Sequence, residues 1–254
     1  MSIVSFKDVS IEYKNGKGIL QNDSFQLNGG DVILLEGNNG SGKSSLIKTI
    51  LGFELYEKRA TGEIIFAGMG NVLSMSDKDL AALRRTVCYL KQKDEFDAFW
   101  GYTVFDVVVD HYAAFLGRTP NRQEKALIEE KFNAFIPAES NVKLKNKITK
   151  LSGGQQRLVS IFASLCLKEN VPLFLIDEPL NNLDIGTVKH ISNLLNKLRI
   201  ENPDACFVII SHCKIFPFIN KVATIKDGKL IIDDKGMNCY ACFGKADDMG
   251  YYHN

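Results

Sequence analysis

Long apolar runs are missing from this chain. The longest, DVILLEG and VPLFLIDE, fall far short of the ~20 residues a helix needs to cross a bilayer. A role at a membrane therefore requires docking onto something else. The opening, MSIVSFKDVS, lacks a basic leader followed by an apolar stretch, so the chain is expected to stay in the cytosol. Charge of one sign is not in excess: 31 Lys and Arg face 30 Asp and Glu, a formal net charge of +1. That balance gives no argument for an anionic surface, and no nucleic-acid partner is expected. Internal repeats and low-complexity tracts are absent. A second CxxC or a paired-His motif is absent too. Six cysteines are scattered along the chain, and Cys239 with Cys242 makes one CxxC. A zinc site needs four ligands, which here would have to enlist Cys213 and His253. Reduced thiols in apolar elements are the simpler reading.

The 254 residues are 45% apolar and 24% charged, enough for one or two domains with a real core. Strand-like and helix-like segments alternate, which predicts a mostly parallel α/β core. The strand patterns are IVSFKDVSIEY (3–13), NDSFQLN (22–28), DVILLE (31–36), GEIIFAG (62–68), VCYLKQ (87–92), LFLID (173–177), CFVIIS (206–211) and short pieces of VATIKDGKLIID. A helix is expected from the 37–44 loop to about Leu51, and another in SDKDLAALRR with Ser76 as N-cap. Residues 93–150 differ. TVFDVVVDHYAAFLG and NRQEKALIEEKFNAFI read as two helices, a helical insert between sheet segments. Further helices are expected near 155–168 and 186–200.

GNNGSGKS at 37–44 fits G-x-x-x-x-G-K-S between a buried strand and a helix. Glycines let backbone N–H groups turn inward around phosphate oxygens, and the helix N-terminus adds a favourable dipole. Lys43 is placed for the β- and γ-phosphates and Ser44 for Mg²⁺. LFLIDE ends an apolar strand in two carboxylates, at the edge where open α/β sheets bind ligands. Asp177 suits a metal, and Glu178 suits proton transfer with an attacking water. KLSGGQQRL (150–158) then poses a problem. Ser152, Gly153 and Gly154 ahead of a helix make a second anion pocket without a lysine of its own.

Together these residues resemble the ATP-binding cassette (ABC) ATPase family across nearly the whole chain. GNNGSGKS, LSGGQ and LFLIDEP come in the family's order and at spacings like its own. LSGGQ is the most specific, arising by chance in fewer than about one chain in a thousand. The resemblance implies an α/β P-loop NTPase core with a mostly parallel sheet, an N-terminal antiparallel β part and a helical subdomain. It divides the chain into an ATP-binding core (1–92 and 151–254) and a helical subdomain (93–150). It implies that Gly37, Asn38, Asn39, Gly40, Ser41, Gly42, Lys43, Ser44 and Ser45 wrap ATP. Tyr13 matches the aromatic that stacks on adenine, and Gln92 the glutamine that contacts Mg²⁺ and the attacking water. Asp184, in NNLD, matches the loop joining two active sites, and His212 the histidine that senses the γ-phosphate. Catalysis is thus assigned to Glu178, His212 and Gln92, and Mg²⁺ to Ser44, Gln92 and Asp177. Leu180, Asn181, Asn182 and Ser211 depart from the residues common in the family, without removing a catalytic group.

The resemblance also answers why one chain carries two pockets. In the family two cassettes face each other head to tail. Each offers Ser152, Gly153, Gly154 and Gln155 to the ATP held by the other, so a dimer around two ATP molecules is implied, with this chain or a relative as partner. The leading expectation is the energy-coupling ATPase of a transporter whose membrane-spanning subunits are separate chains, peripheral on the inner face of the membrane. Phe96, Phe99, Trp100 and Tyr102 in FDAFWGY are candidate docking anchors. The lysines at 143, 145, 147 and 150 read as a solvated face. The rival expectation is a soluble ATPase of the iron–sulfur-cluster assembly type.

Overall fold

The structure is a computed structural model that describes residues 1–53, 55–93, 96–181, 183–211 and 216–234. In chain order its strands are β1 (Ser2–Tyr13), β2 (Gly18–Asn28), β3 (Val32–Glu36), β4 (Lys58–Phe66), β5 (Gly70–Asn71), β6 (Val87–Leu90), β7 (Leu173–Asp177), β8 (Cys206–Ile210), β9 (Lys221–Lys226) and β10 (Lys229–Asp233). Its helices are α1 (Lys43–Ile50), α2 (Asp77–Thr86), α3 (Val104–Leu116), α4 (Arg122–Phe135), α5 (Gly153–Leu165) and α6 (Ile185–Glu201). The chain divides into two compact units, Met1–Leu80 with Pro203–Asn254, and Ala81–Asn202. Both are α/β.

In the first unit an antiparallel sheet runs in the order β2-β1-β4-β5. β1 alternates, but its phase changes midway: Val4 and Phe6 are buried, then Val9 and Ile11. The change is a bulge at Lys7 and Asp8, where the register with β4 slips and Asp8 takes φ +49°. Gly62 faces the bulge at φ +86°, and a Cβ there would meet the Asp8 carbonyl at 2.4 Å, so only glycine fits. The same unit holds β3 between β8 and β9, parallel to both, with β10 returning antiparallel on β9. β3 and β8 are buried almost throughout, as expected of strands covered on both faces.

In the second unit β6 and β7 pair in parallel. Every residue of β7 is buried. The helices supply an aromatic core: Phe162 of α5 meets Phe132 of α4 edge-on at 5.1 Å and stacks on Phe135 at 5.4 Å. Each such buried ring contributes about 1.5–3 kcal/mol over an exposed one. Capping boxes start α3 (Thr103 and Asp106) and α4 (Asn121 and Glu124). Arg118 also grips Glu124, at 2.6 Å. That hydrogen bond and the Asn121 amide hold the Glu124 carboxyl down at about 2.

Most patterns read from the sequence land within a few residues of these elements. β2 and β4 each begin four residues earlier than the alternation indicates, and α5 two residues earlier. Ser76 accepts from the Asp79 amide at 3.2 Å, as an N-cap does. No helix among the described residues is long and apolar enough to cross a membrane.

Candidate functional site

The first unit carries the phosphate loop between β3 and α1. Gly37, Gly40 and Gly42 all have positive φ, at 135°, 77° and 100°, which curls the backbone into a cup. Asn38, Asn39 and Gly40 are exposed, Gly37, Ser41, Gly42 and Ser44 partly so, while Lys43 and Ser45 are buried. The Lys43 ammonium donates to the Gly37 carbonyl at 2.6 Å and the Asn38 carbonyl at 3.1 Å. It thereby points back along the cup instead of out into water. Gly42 is also the N-cap of α1. A Cβ there would strike Ile19 Cγ2 at 2.6 Å, on top of the left-handed φ. Gly42→Ala should therefore cost about 2 kcal/mol or more and weaken nucleotide binding at least about tenfold. Titration with a fluorescent nucleotide checks this, and an unchanged affinity would show that the cup tolerates distortion.

Tyr13 ends β1 beside this loop. Its hydroxyl hydrogen-bonds Ser45 of α1, and the buried Lys58 ammonium lies 5.9 Å from its ring centroid. The turn after Tyr13 is closed by Tyr13 N–H to the Lys17 carbonyl at 2.9 Å, and Lys17 donates to the Gly40 carbonyl at 2.7 Å. The hairpin thus fastens an aromatic ring to the rim of the phosphate cup.

The second unit carries the acidic pair and Gln92. Asp177 ends β7 and Glu178 follows, 1% and 3% exposed. Glu178 has φ +50°, a left-handed backbone in a residue that precedes Pro179, where extended conformations are strongly preferred. Such strain persists only when the surroundings hold it. They do so through a residue that sequence reasoning missed. Arg157 of α5 is 4% exposed. Its guanidinium donates to the carbonyls of Asp177 at 3.0 Å, Glu178 at 2.8 Å and Lys91 at 2.8 Å. One side chain therefore ties the end of β7 to the end of β6, next to the exposed Gln92. The signal was in the sequence: an arginine in the apolar face of a predicted helix, just after LSGGQ.

The same helix begins with that motif. Ser152 Oγ accepts from the Gln155 amide at 3.3 Å, and Gln155 Oε1 accepts from the Ser152 amide at 2.9 Å. Gln155 also donates to the Ser140 carbonyl at 2.8 Å. This capping box fixes the helix start and leaves the Ser152 hydroxyl proton free to point outward. The Gly153 and Gly154 amides are first-turn donors, which no helix can satisfy internally. Gly153 is exposed, and a Cβ there would meet nothing within 4 Å. Neither local packing nor a positive φ demands glycine at 153.

Asp184 caps α6. Its carboxylate accepts from the Thr187 hydroxyl at 2.6 Å and the Thr187 amide at 3.0 Å, and the hydroxyl, then the amide, hold its pKa below the usual carboxylate range. Ser44, Gln92 and Asp177 offer a hydroxyl, an amide oxygen and a carboxylate, the hard oxygen donors that Mg²⁺ favours. His212 lies outside the described residues, as do Asn182, Cys213, Cys239, Cys242 and His253. Groups of three or more metal-binding side chains are absent among the described residues. Burial pushes the Cys88 thiol up to about 12 and the Cys166 and Cys206 thiols higher still, so these three stay protonated and inert.

The family model described as "ABC transporter" matches residues 20–181. The manganese transport system ATP-binding protein MntB of Bacillus subtilis (strain 168) is 33% identical over 196 residues, 77% of this chain and 72% of that protein. MntB of Listeria monocytogenes serovar 1/2a is 29% identical over 234 residues, 91% and 87% of the two chains. The dimeric structure of MJ0796, a bacterial ABC transporter cassette, superposes with a TM-score of 0.75 at 24% identity, covering 92% of this chain and all of that one; it shares the fold. With most of its length matched and each motif seated on the element its chemistry needs, the chain belongs to the ABC transporter family of ATP-hydrolysing cassettes.

Proposed function

We propose that this chain is the energy-coupling subunit of a membrane transport system, working as a pair of copies closed around two ATP molecules. The observation that carries the reading is the α5 start. Ser152 and the first-turn amides of Gly153 and Gly154 are donors, and among the described residues nothing stands within 4 Å of a Cβ at Gly153, as half of a site completed elsewhere requires. Lys43 and the loop from Gly37 to Ser45 hold the phosphates of one ATP, with Tyr13 on its adenine. The signature residues of the opposing copy cover the γ-phosphate. Glu178 takes a proton from the attacking water, Gln92 and His212 position that water and the phosphate, and Asp184 links the two centres. Ser44, Asp177 and Gln92 would hold Mg²⁺, which would offset charge on the phosphate oxygens. The closed pair is favoured only to the extent that ATP binds it better than the open form. The manganese-transport relatives favour a transport role, and the cluster-assembly alternative gains no support from them.

The domain division follows the same logic, with 1–92 and 151–254 as ATP-binding core and 93–150 as the helical subdomain that docks. Within FDAFWGY the aromatics differ in setting: Phe96 is 6% exposed, whereas Trp100 is 86% and Tyr102 42% exposed. Phe99 bridges them, 6.1 Å from Phe96 and 5.5 Å from Tyr102. An indole standing out from a packed aromatic base suits an anchor for a membrane-spanning subunit on the inner face of the membrane. Trp100→Ala should leave ATP turnover of the isolated chain within about twofold and weaken capture of the membrane subunits at least about tenfold. Co-purification in detergent from native membranes tests both the anchor and the transport reading. Recovery of the parent chain without any spanning subunit would sink the transport reading, and undiminished capture by the variant would sink the anchor.

A further inference from the structure

Lys58 stands where the strand pattern calls for an apolar side chain. β1 and β4 are antiparallel neighbours, with Ile11 opposite Ala60, Glu12 opposite Arg59 and Tyr13 opposite Lys58. Directly opposite residues of such a pair share a face, and successive residues alternate between faces. Glu12 and Arg59 meet at 3.7 Å on the solvent side. Tyr13 and Lys58 therefore point the other way, to the side of the buried Ile11. There Lys58 is 4% exposed. Burying an ammonium is costly, and an apolar side chain of similar length would fill the same place without that cost.

The ammonium lies over the Tyr13 ring, 5.9 Å from its centroid. That is within range of the attraction between a cation and the negative face of an aromatic ring, which strengthens away from water. The ring is held a second time at its edge, where its hydroxyl hydrogen-bonds Ser45 of α1. A cation on one face and a hydroxyl at the edge together fix the tilt of the ring relative to the phosphate loop. Because Lys58 is buried, it takes the face turned into the protein. Tyr13 itself is only half-buried, which leaves the opposite face for a base. A cation behind the ring also draws π density toward itself. The opposite face becomes less negative, which favours stacking with the electron-rich face of a purine.

We propose that Lys58 is a positioning residue for the base: it holds Tyr13 as the platform for the purine ring, and so contributes to recognition of the base and not of the phosphates. The inference rests on the proposed seating of adenine on Tyr13. Lys58 acts through the tyrosine, with the ring between its ammonium and the base.

Calorimetric titration of the full chain with MgADP, and with magnesium pyrophosphate, which suits the same loop but has no base, tests this. Lys58→Met keeps the length and removes the charge. It should weaken MgADP about fivefold and leave pyrophosphate within about twofold. Tyr13→Ala should weaken MgADP about tenfold, the worth of a stacked base. Adding Lys58→Met to Tyr13→Ala should bring no further loss, because the two residues act as one unit. Pyrophosphate binding by the Lys58→Met chain also shows that its loop is folded. MgADP affinity indifferent to Tyr13→Ala would overturn the adenine seat itself, and the inference with it. A loss with Tyr13→Ala but none with Lys58→Met would overturn the role of Lys58 alone. A Lys58→Met loss that is equal for pyrophosphate, or that persists beside Tyr13→Ala, would make Lys58 a support of the fold and overturn the proposal as surely.

Discussion

Glu178→Gln is expected to lower steady-state phosphate release by about 10²–10³-fold, at the level where a general base is lost, and to leave ATP affinity within about threefold. The substitution keeps the volume and the hydrogen-bonding atoms but removes the ability to take a proton. Glu178 is buried, at 3% exposure, just past the end of β7. The backbone turn at φ +50° aims that carboxylate in a direction an extended residue would not. Phosphate release and nucleotide binding measured on one preparation separate chemistry from binding. Turnover equal to the parent's would remove Glu178 from the role of base.

Arg157→Met carries the other large effect. Methionine fills much of the arginine's path without donors, so the carbonyls of Lys91, Asp177 and Glu178 each lose a bond, the latter two in a buried setting. An unmet buried carbonyl costs about 1–3 kcal/mol, so destabilisation of about 3–5 kcal/mol is expected, near the value for breaking a buried charged network. The strained turn at Glu178 should relax, and turnover should fall at least about tenfold in the protein that remains folded. Arg157→Lys keeps the charge, but a point ammonium cannot span two strand ends as a planar fork does, so it should recover stability in part and turnover hardly at all. Urea unfolding and turnover at saturating ATP, below the unfolding transition, give the two readouts. A destabilised variant with full turnover would show that Arg157 braces the fold and does not position the base.

What the sequence made legible depended on range. Motifs that act through contiguous backbone were read correctly as local structures. The loop from Gly37 to Ser44 curls where its glycines permit, and LSGGQ caps a helix through Ser152 and Gln155. Continuous apolar runs such as LFLID and CFVII are strands covered on both faces. What stayed hidden involves pairs distant in the chain. The β1 bulge is visible only when Asp8 and Gly62 are seen face to face. Arg157 reaches its acceptors across 66, 20 and 21 residues, and no local pattern marks which buried carbonyls an arginine will find. Composition placed four aromatics in FDAFWGY together, but only the fold distinguishes the buried Phe96 from the exposed Trp100. The Phe135–His190 contact is of the same kind, since the two rings meet across 55 positions of sequence.

Gly153 bears most directly on the proposed pairing: among the described residues nothing stands within 4 Å of a Cβ there, open space that an opposing cassette would fill. Native mass spectrometry of the Glu178→Gln chain with MgATP is the decisive measurement. Two chains holding two nucleotides are expected, reverting to single chains when Gly153→Asp is added, with unfolding midpoint and single-chain ATP binding unchanged. Pairs that persist undiminished with Asp at 153, or a lone chain retaining ATP at every protein concentration, would contradict it.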